Sequence, residues 1–535
     1  MSTLTRFAIG CDAVRCRAVA SEIPHTESAD VIDELEDALV LEQCGTGNWR
    51  FRHELLREVA AELAPPSVRR GLNARVADAL SGAGEPDWQL IAAHYEHAAR
   101  FDKAASAYQH AARNARLRGA LVEALAYLTR ALAQLDRATS GPDRDRRETA
   151  LRMERGLLTS AAEGYQSAEA AADFERCLQL GGNLRDQELF ATLITLGEYY
   201  LVRADLRRAA KVIKSLRDGP EGPQWARPRS DILLGAMEYL RGDFNAATSA
   251  LQTATEGMAA ADRHEVDDEW FWVSEPTASG CLCQALVRLV RGDLSRAEAE
   301  LARSAQLAEG SGFPEGPYLR AYTRSMDTWL RIESGQLGRA AAGSADMINA
   351  AERHGFDMWR LVGGAWQAAV GALAALHTGD RDPTALAAHI ATITTFLDGL
   401  RTIEVKMYTT VFDGVLGRLL IAAGQPEAAR ERLDAALALA QDTGMHFYDA
   451  ELLRLRAQTC DEPVAHQAEI NGALELARRQ TATLFELRAA LDDFELRGEA
   501  AAAAVTDAAN RITASNPFPE LARAKAALSE QMPRI

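Results

Sequence analysis

The sequence predicts an all-α protein built as a long solenoid of helical hairpins. Composition is the first reason. About 100 of the 535 residues are alanine within a hydrophobic total of 47%, and aromatics are only 6%. Alanine loses no side-chain entropy in a helix and buries no polar group there. Size is the second. A helical chain of 535 residues does not surround one core, whereas a stacked array needs none. The third is a recurring turn. Ala204-Asp205, Gly242-Asp243, Gly292-Asp293, Gly335-Gln336, Gly379-Asp380 and Gly424-Gln425 lie 38 to 50 residues apart.

Each turn has the same logic. A small residue suits a left-handed helix end, and an acid or amide starts the next helix. Ala246, Ala297, Ala340 or Ala428 then lets paired helices approach closely. The period corresponds to two helices per repeat, slightly longer than the roughly 34 residues of a tetratricopeptide repeat. The expectation is a tetratricopeptide-like α-solenoid over residues 81–535, preceded by a partial winged-helix-like segment with linker helices over residues 1–80.

The N-terminal segment reads differently from the rest. Ala29 to Leu39 predicts a short helix. Val40–Gln43 and Trp49–Phe51 flank a Gly-rich turn at Cys44–Asn48, which is a hairpin signal. A helix followed by a small hairpin is how a winged helix ends. Phe51, Leu55, Leu56, Val59 and Leu63 then fall near helical spacing, and Pro65-Pro66 stops that helix. Hairpins follow, with helices over Trp88–Ala99, Asp102–Arg118 and Leu121–Leu135. Gly219–Pro223 and Gly310–Pro317 predict longer loops. The array continues through Val464–Arg479, Thr481–Arg497 and Glu499–Ile512. Asn516–Pro519 interrupts it before a closing helix over Glu520–Gln531 that carries Arg523, Lys525 and other polar residues.

Charge and motifs narrow the function. The net charge of −17 opposes general nucleic-acid binding. No Gly-Lys dipeptide occurs, so a phosphate-binding loop is excluded. The seven cysteines have no zinc spacing and read as reduced thiols. His94 and His97 form half a metal site at most. Arg241–Asp243 and Arg291–Asp293 are repeat turns that happen to spell Arg-Gly-Asp. Arg6, Asp12, Arg15 and Arg17 interrupt any signal-peptide core. The longest apolar stretch, Leu361–Leu376, is too short to span a bilayer. A cytoplasmic, non-enzymatic protein is expected, with no catalytic, cofactor or metal residue.

The aromatics are the candidate site. Trp270, Trp272, Trp329 and Trp359, with Arg360, either pack between helix pairs or line a concave groove as anchors for a partner, since Trp and Arg dominate interface energetics. Six Arg from Arg50 to Arg75 face Glu54, Glu58 and Glu62, a local charge of about +3 that allows DNA contact by a winged helix.

Several segments also resemble a known family. Arg50-Phe51-Arg52-His53-Glu54-Leu55-Leu56-Arg57-Glu58 is similar to the F-x-H-x-x-x-R-E segment of bacterial STAND-type (AAA-related) signal-transduction ATPases, which are often linked to an adenylate cyclase or a LuxR-type DNA-binding domain. Arg69–Ala77 resembles R-x-x-L-H-x-R-V-A, with Asn73 where the family has His. Ile91–His94, Lys103-Ala104, Tyr108 and Ala111-Ala112 resemble the first tetratricopeptide-like helices of those proteins. Gln480–Ala490 resembles the Q-A-x-x-x-E-L-R-A-A helix closing the array in cyclase-linked members. The ATPase, cyclase and LuxR parts have no counterpart here, so their activities are not carried over.

The resemblance implies the winged-helix and sensor half of such a regulator, whose repeats sense an inducer or partner. The leading expectation is an interaction scaffold or sensor presenting a concave surface to a protein, such as a separate ATPase or regulator, or to a small effector. The alternatives are a DNA-binding transcriptional regulator and a truncated remnant of a cyclase-linked ATPase. No membrane contact is expected.

Overall fold

The computed structural model describes residues 33–45, 48–53, 55–56, 59, 65–82, 84–163, 167–180, 186–218, 226–260, 276–379, 381–512 and 518–529. The hairpin signal corresponds to an antiparallel pair, β1 (Leu41–Gly45) and β2 (Asn48–Phe51). Leu41 pairs with Phe51 and Gln43 with Trp49, with an irregularity before Gly45. Residues 33–37 are helical. Most of the helix expected after Phe51, the loop at Gly219–Pro223, and the interruption at Asn516-Pro517 lie outside the described residues.

The sequence places a boundary near residue 80. By compactness the chain divides into Met1–Arg155 and Gly156–Ile535. The first unit holds α1 (Pro66–Ser81), α2 (Trp88–His97), α3 (Phe101–Leu117), α4 (Leu121–Leu135) and the start of α5 (Pro142–Glu163). Pro66 sits in the first turn of α1, where its missing N–H costs nothing. Asp87 caps α2 by accepting from Leu90 N–H at 3.1 Å. One face of α3 buries Ala104, Ala105, Ala111, Ala112 and Ala115, and α4 buries Leu121, Ala124, Leu128, Ala131 and Leu132 at helical spacing. Small residues on α3 let the leucines of α4 fill the gap. Asn73 Oδ1 accepts from His94 Nδ1–H at 2.8 Å, so this histidine is tied to α1.

The second unit contains the end of α5, then α6 (Ala168–Leu180), α7 (Asp186–Val202), α8 (Leu206–Asp218), α9 (Ala226–Arg241), α10 (Phe244–Ala260), α11 (Pro276–Val290), α12 (Leu294–Gly310), α13 (Glu315–Glu333), α14 (Leu337–His354), α15 (Asp357–His377), α16 (Pro383–Thr402), α17 (Thr409–Ala422), α18 (Pro426–Thr443), α19 (Asp449–Ala457), α20 (Pro463–Gln480), α21 (Thr483–Arg497), α22 (Ala502–Arg511) and α23 (Pro519–Ser529). It is an all-α solenoid of helical hairpins.

All six turn residues named from sequence are left-handed, with φ of 55° at Ala204 and 70–80° at the five glycines. The residue after the turn bonds back across the helix end, as in Asp243 N–H to Glu238 O at 3.0 Å and Gln425 N–H to Leu420 O at 2.9 Å. Asp205, Asp243 and Asp293 then cap the next helix through their side chains. After Gly379 the cap is instead Asp382, followed by Pro383. The connection at Gly310–Pro317 is short: α12 ends at Gly310 and α13 begins at Glu315.

Two layers result. Each of the odd-numbered helices from α7 to α21 packs against the next odd one as well as against its hairpin mate, and α11 also packs against α21. The inner layer therefore curls back on itself. Burial follows. The outer α12 buries one stripe, Leu294, Ala297, Leu301, Ser304 and Ala308. The inner α21 is buried continuously from Thr483 to Phe494. The concave face expected to receive a partner is thus filled over much of its length by the chain's own side chains.

The curl explains the turn glycines. A Cβ on Gly242 would collide with the Gln480 side chain, and one on Gly335 would lie 2.6 Å from Pro519 Cγ. Gly424 has the same backbone conformation and open space around it. Gly424→Ala should therefore cost only the left-handed strain of about 1–2 kcal/mol. Gly242→Ala should cost more, by about 1–3 kcal/mol of overpacking. Urea unfolding of both variants checks this; equal losses would contradict the close approach.

Candidate functional site

A second kind of turn, from an outer helix back to an inner one, builds the interior. Gly355, Glu404, Gly444 and Thr481 are all left-handed, with φ of 72°, 53°, 79° and 58°. The next residue closes the helix end, as Phe356 N–H bonds Ala351 O at 3.0 Å and Met445 N–H bonds Ala440 O at 3.0 Å. Four residues after the left-handed position stand Trp359, Tyr408, Tyr448 and Phe485, all buried. The spacing places each ring at the start of an inner helix. Sequence reasoning missed this pattern, although the signal is there: a turn residue, then apolar residues one and three later, then an aromatic.

These rings meet others from distant hairpins. Trp329 lies 5.7 Å from Tyr408 and 5.8 Å from Phe447, and Tyr239 lies 5.4 Å from Phe447, centroid to centroid. Phe447 N–H also bonds Leu240 O at 3.1 Å.

Beside this cluster is a cavity of about 130 Å³. Its walls come from α5, α7, α9, α11, α13, α15, α16, α17 and the 403–408 connection, and include Leu233, Tyr318, Trp359, Trp366, Val405 and Phe412. Glu198, Val202, Tyr322, Val362 and Met407 are half-buried lining residues, whereas Tyr318, Trp359, Trp366 and Phe412 are buried. The 403–408 connection is tied back to α7 by Met407 N–H to Val202 O at 3.4 Å and by Arg203 to Glu404 at 3.4 Å. Trp366 Nε1–H donates to Ser325 Oγ at 2.8 Å. Trp359 Nε1–H is buried without an acceptor. Burial pushes the Cys283 thiol up to about 12, so it stays protonated near neutrality. Burial likewise holds the Tyr408 phenol well above its ordinary value.

A charge network occupies the other end of the interior. Arg488 donates to Glu333 Oε2 at 2.5 Å, to Glu333 O at 3.1 Å and to Glu520 at 2.7 Å. Glu333 also accepts from Trp329 Nε1–H at 2.9 Å and from the Tyr448 hydroxyl at 3.2 Å. Arg418 and Arg454 grip Glu451 at 2.5 and 2.8 Å, and Arg454 reaches Asp492 at 2.6 Å. Burial opposes ionisation of Glu451, but Arg454, Arg488 and Arg418 outweigh it and hold its carboxyl well below the usual range.

The described candidate partner residues, Trp329, Trp359 and Arg360, do not share one exposed surface. Trp329 is fully buried as a packing ring, so it has no face to offer a partner. Of its two readings, packing ring or groove anchor, this burial fits the packing ring. Trp359 lines the cavity. Arg360 is exposed beside it and bonds Asp357 at 3.2 Å. Trp270 and Trp272 lie outside the described residues, as do Cys11, Cys16 and His264. Among the described residues no cluster of three or more His, Cys, Asp or Glu is placed to hold a metal ion, and no helix is long and apolar enough to cross a membrane.

No family profile matches the sequence, and no curated protein matches it. Solved structures do. A STAND protein with a tetratricopeptide repeat sensor from Pyrococcus horikoshii is 13% identical, with a TM-score of 0.29 over 99% of this chain and 64% of its own. This chain thus spans less than two thirds of that protein. Scc4 in complex with Scc2n is 8% identical, with a TM-score of 0.42 over 99% of both chains. Yeast Tom70 is 12% identical, with a TM-score of 0.28 over 86% of this chain and 96% of its own.

Two outcomes follow for the charge network. Arg488→Ala strands Glu333 and Glu520 and should cost about 3–5 kcal/mol in denaturant unfolding. Glu451 has a depressed folded pKa, so its contribution is present above its unfolded value of 4.5 and is lost as pH falls below it. In Glu451→Gln the slope of stability against pH below 4.5 should be shallower; an unchanged slope would contradict the network.

Proposed function

We propose that this chain is a non-enzymatic sensor and interaction scaffold. Its second unit takes up a small effector in the cavity beside Trp359. Occupancy then sets the packing of the hairpins that a protein partner meets. The observation that carries this reading is the origin of the cavity walls, which come from successive inner helices from α7 to α17. A ligand there touches several hairpins at once, so its binding energy bears directly on how they pack. The wall chemistry favours binding over catalysis, because the buried Cys283 thiol and Tyr408 phenol stay protonated. The resemblance of Arg50–Glu58 and Gln480–Ala490 to STAND-type regulators supports a bacterial signalling setting, with a separate ATPase or transcription regulator as partner.

The β1–β2 hairpin favours one second reading, DNA contact by a winged helix. Arg52 there is already 3.7 Å from Glu42, and the net charge of −17 opposes it. A mobility-shift assay at low salt decides: no retardation of genomic fragments removes this reading.

For the sensor, capture from lysate on the immobilised full chain should retain a partner, with retention changed by a compound that raises Tm. No retained partner and no compound that shifts Tm would sink the proposal.

A further inference from the structure

We infer, resting on the scaffold reading, that the exposed face of α8 is the docking surface for an acidic, helical segment of the protein partner. Sequence and burial define this face. Leu206, Ala209, Val212, Ile213 and Leu216 are buried, and α8 packs against α7 and α9. Arg207, Arg208, Lys211 and Lys214 are exposed on the other side. Arg207, Lys211 and Lys214 stand at i, i+4 and i+7, so they form one stripe about 10 Å long.

This helix differs from the rest of the outer layer. Its one acid is its last residue, Asp218. The outer α12 mixes signs, with Arg296, Glu298, Glu300 and Arg303. Lysine sharpens the contrast. The chain has five, and two of them are Lys211 and Lys214.

Much of the charge is not spent within the fold. Arg217 pairs with Asp231, and Arg208 lies 3.5 Å from Asp205. Among the described residues, the Arg207 and Lys211 side chains have no hydrogen-bond or ion-pair partner. Like charges at helical spacing repel. An anion laid along the stripe relieves that repulsion.

The surroundings select the kind of anion. At physiological salt the field of the stripe is screened beyond about 8 Å. A nucleic-acid duplex would run past the stripe over a protein whose net charge is −17. The helix also has no aromatic side chain for a base to stack on. An interfacial helix enters a bilayer by its apolar face, and that face of α8 is buried in the fold. A short acidic segment stays within the stripe. With carboxylates at i, i+4 and i+7 it pairs along two helical turns. The guanidiniums of Arg207 and Arg208 suit a carboxylate by two parallel hydrogen bonds.

Fluorescence anisotropy with the full chain tests this. The probe is a labelled helical peptide of about 15 residues with Glu at that spacing, and its counterpart has Gln instead. The Glu peptide should bind about 3- to 150-fold more tightly than the Gln peptide, the value of three exposed ion pairs. Its affinity should fall as salt rises. Lys211→Glu removes one pair and adds a repulsion, so it should weaken binding about 2- to 30-fold. Arg303→Glu, at an exposed site on α12, changes the net charge equally and should leave binding unchanged. Circular dichroism confirms that both variants are folded. A short DNA duplex and phosphatidylserine vesicles, titrated alongside, should bind more weakly than the Glu peptide. Equal affinity for the two peptides, or equal weakening by both variants, overturns the docking surface. Tighter binding of DNA or vesicles, lost in Lys211→Glu, overturns the choice of partner. No peptide binding by a chain that still captures a partner from lysate overturns the α8 surface and leaves the scaffold reading standing. Absence of both a captured partner and a compound that shifts Tm removes that reading as well.

Discussion

The inner helices of the second unit bury most of their surface, α21 continuously from Thr483 to Phe494, and the rest of that unit follows from it. A helix exposed on one face can leave its polar groups in water. One that packs against its mate, its neighbours and the far end of the same layer cannot. A polar side chain carried inside is stabilised by a partner there, because burying it unpaired costs more than a hydrogen bond returns. Glu333, Glu451 and Asp492 therefore sit against Arg488, Arg454 and Arg418. Trp366 meets Ser325, and Trp329 meets Glu333.

The same constraint separates the interior into two regions. At the charge network, ion pairs link α13, α17, α19 and α21, and the Arg488–Glu333 contact joins residues far apart in sequence. Breaking one partner leaves a buried charge, so this region holds the curl together. At the cavity the walls are aromatic and aliphatic, and one buried N–H lacks a partner. Structures rarely leave such a donor unmet without reason.

Turn chemistry connects these regions to the sequence. Small residues at the first kind of turn were legible because Gly followed by Asp or Gln is a strong local signal. The boundaries of α3 and α4 and the β1–β2 hairpin were legible for the same reason. The second kind of turn was missed at Glu404 and Thr481, which adopt left-handed backbone without being glycine. A Glu or a Thr carries no local signal for a left-handed backbone. Among the candidate site residues, the sequence pointed to Trp359, which lines the cavity, and to Trp329, which is core. Nothing local distinguishes them, since both are tryptophans on apolar helices.

By itself the sequence determined the helical hairpins, their period and the left-handed ends that start each outer helix. Those features rest on residues within a few positions of one another. Only the tertiary structure decided that the inner layer closes on itself. That closure depends on small rotations accumulating from hairpin to hairpin until α11 meets α21. Among the described residues it turned an expected open groove into a largely filled interior with an apolar cavity. A local pattern specifies each step of a superhelix, but the contact between its distant turns exists only when the whole array is assembled.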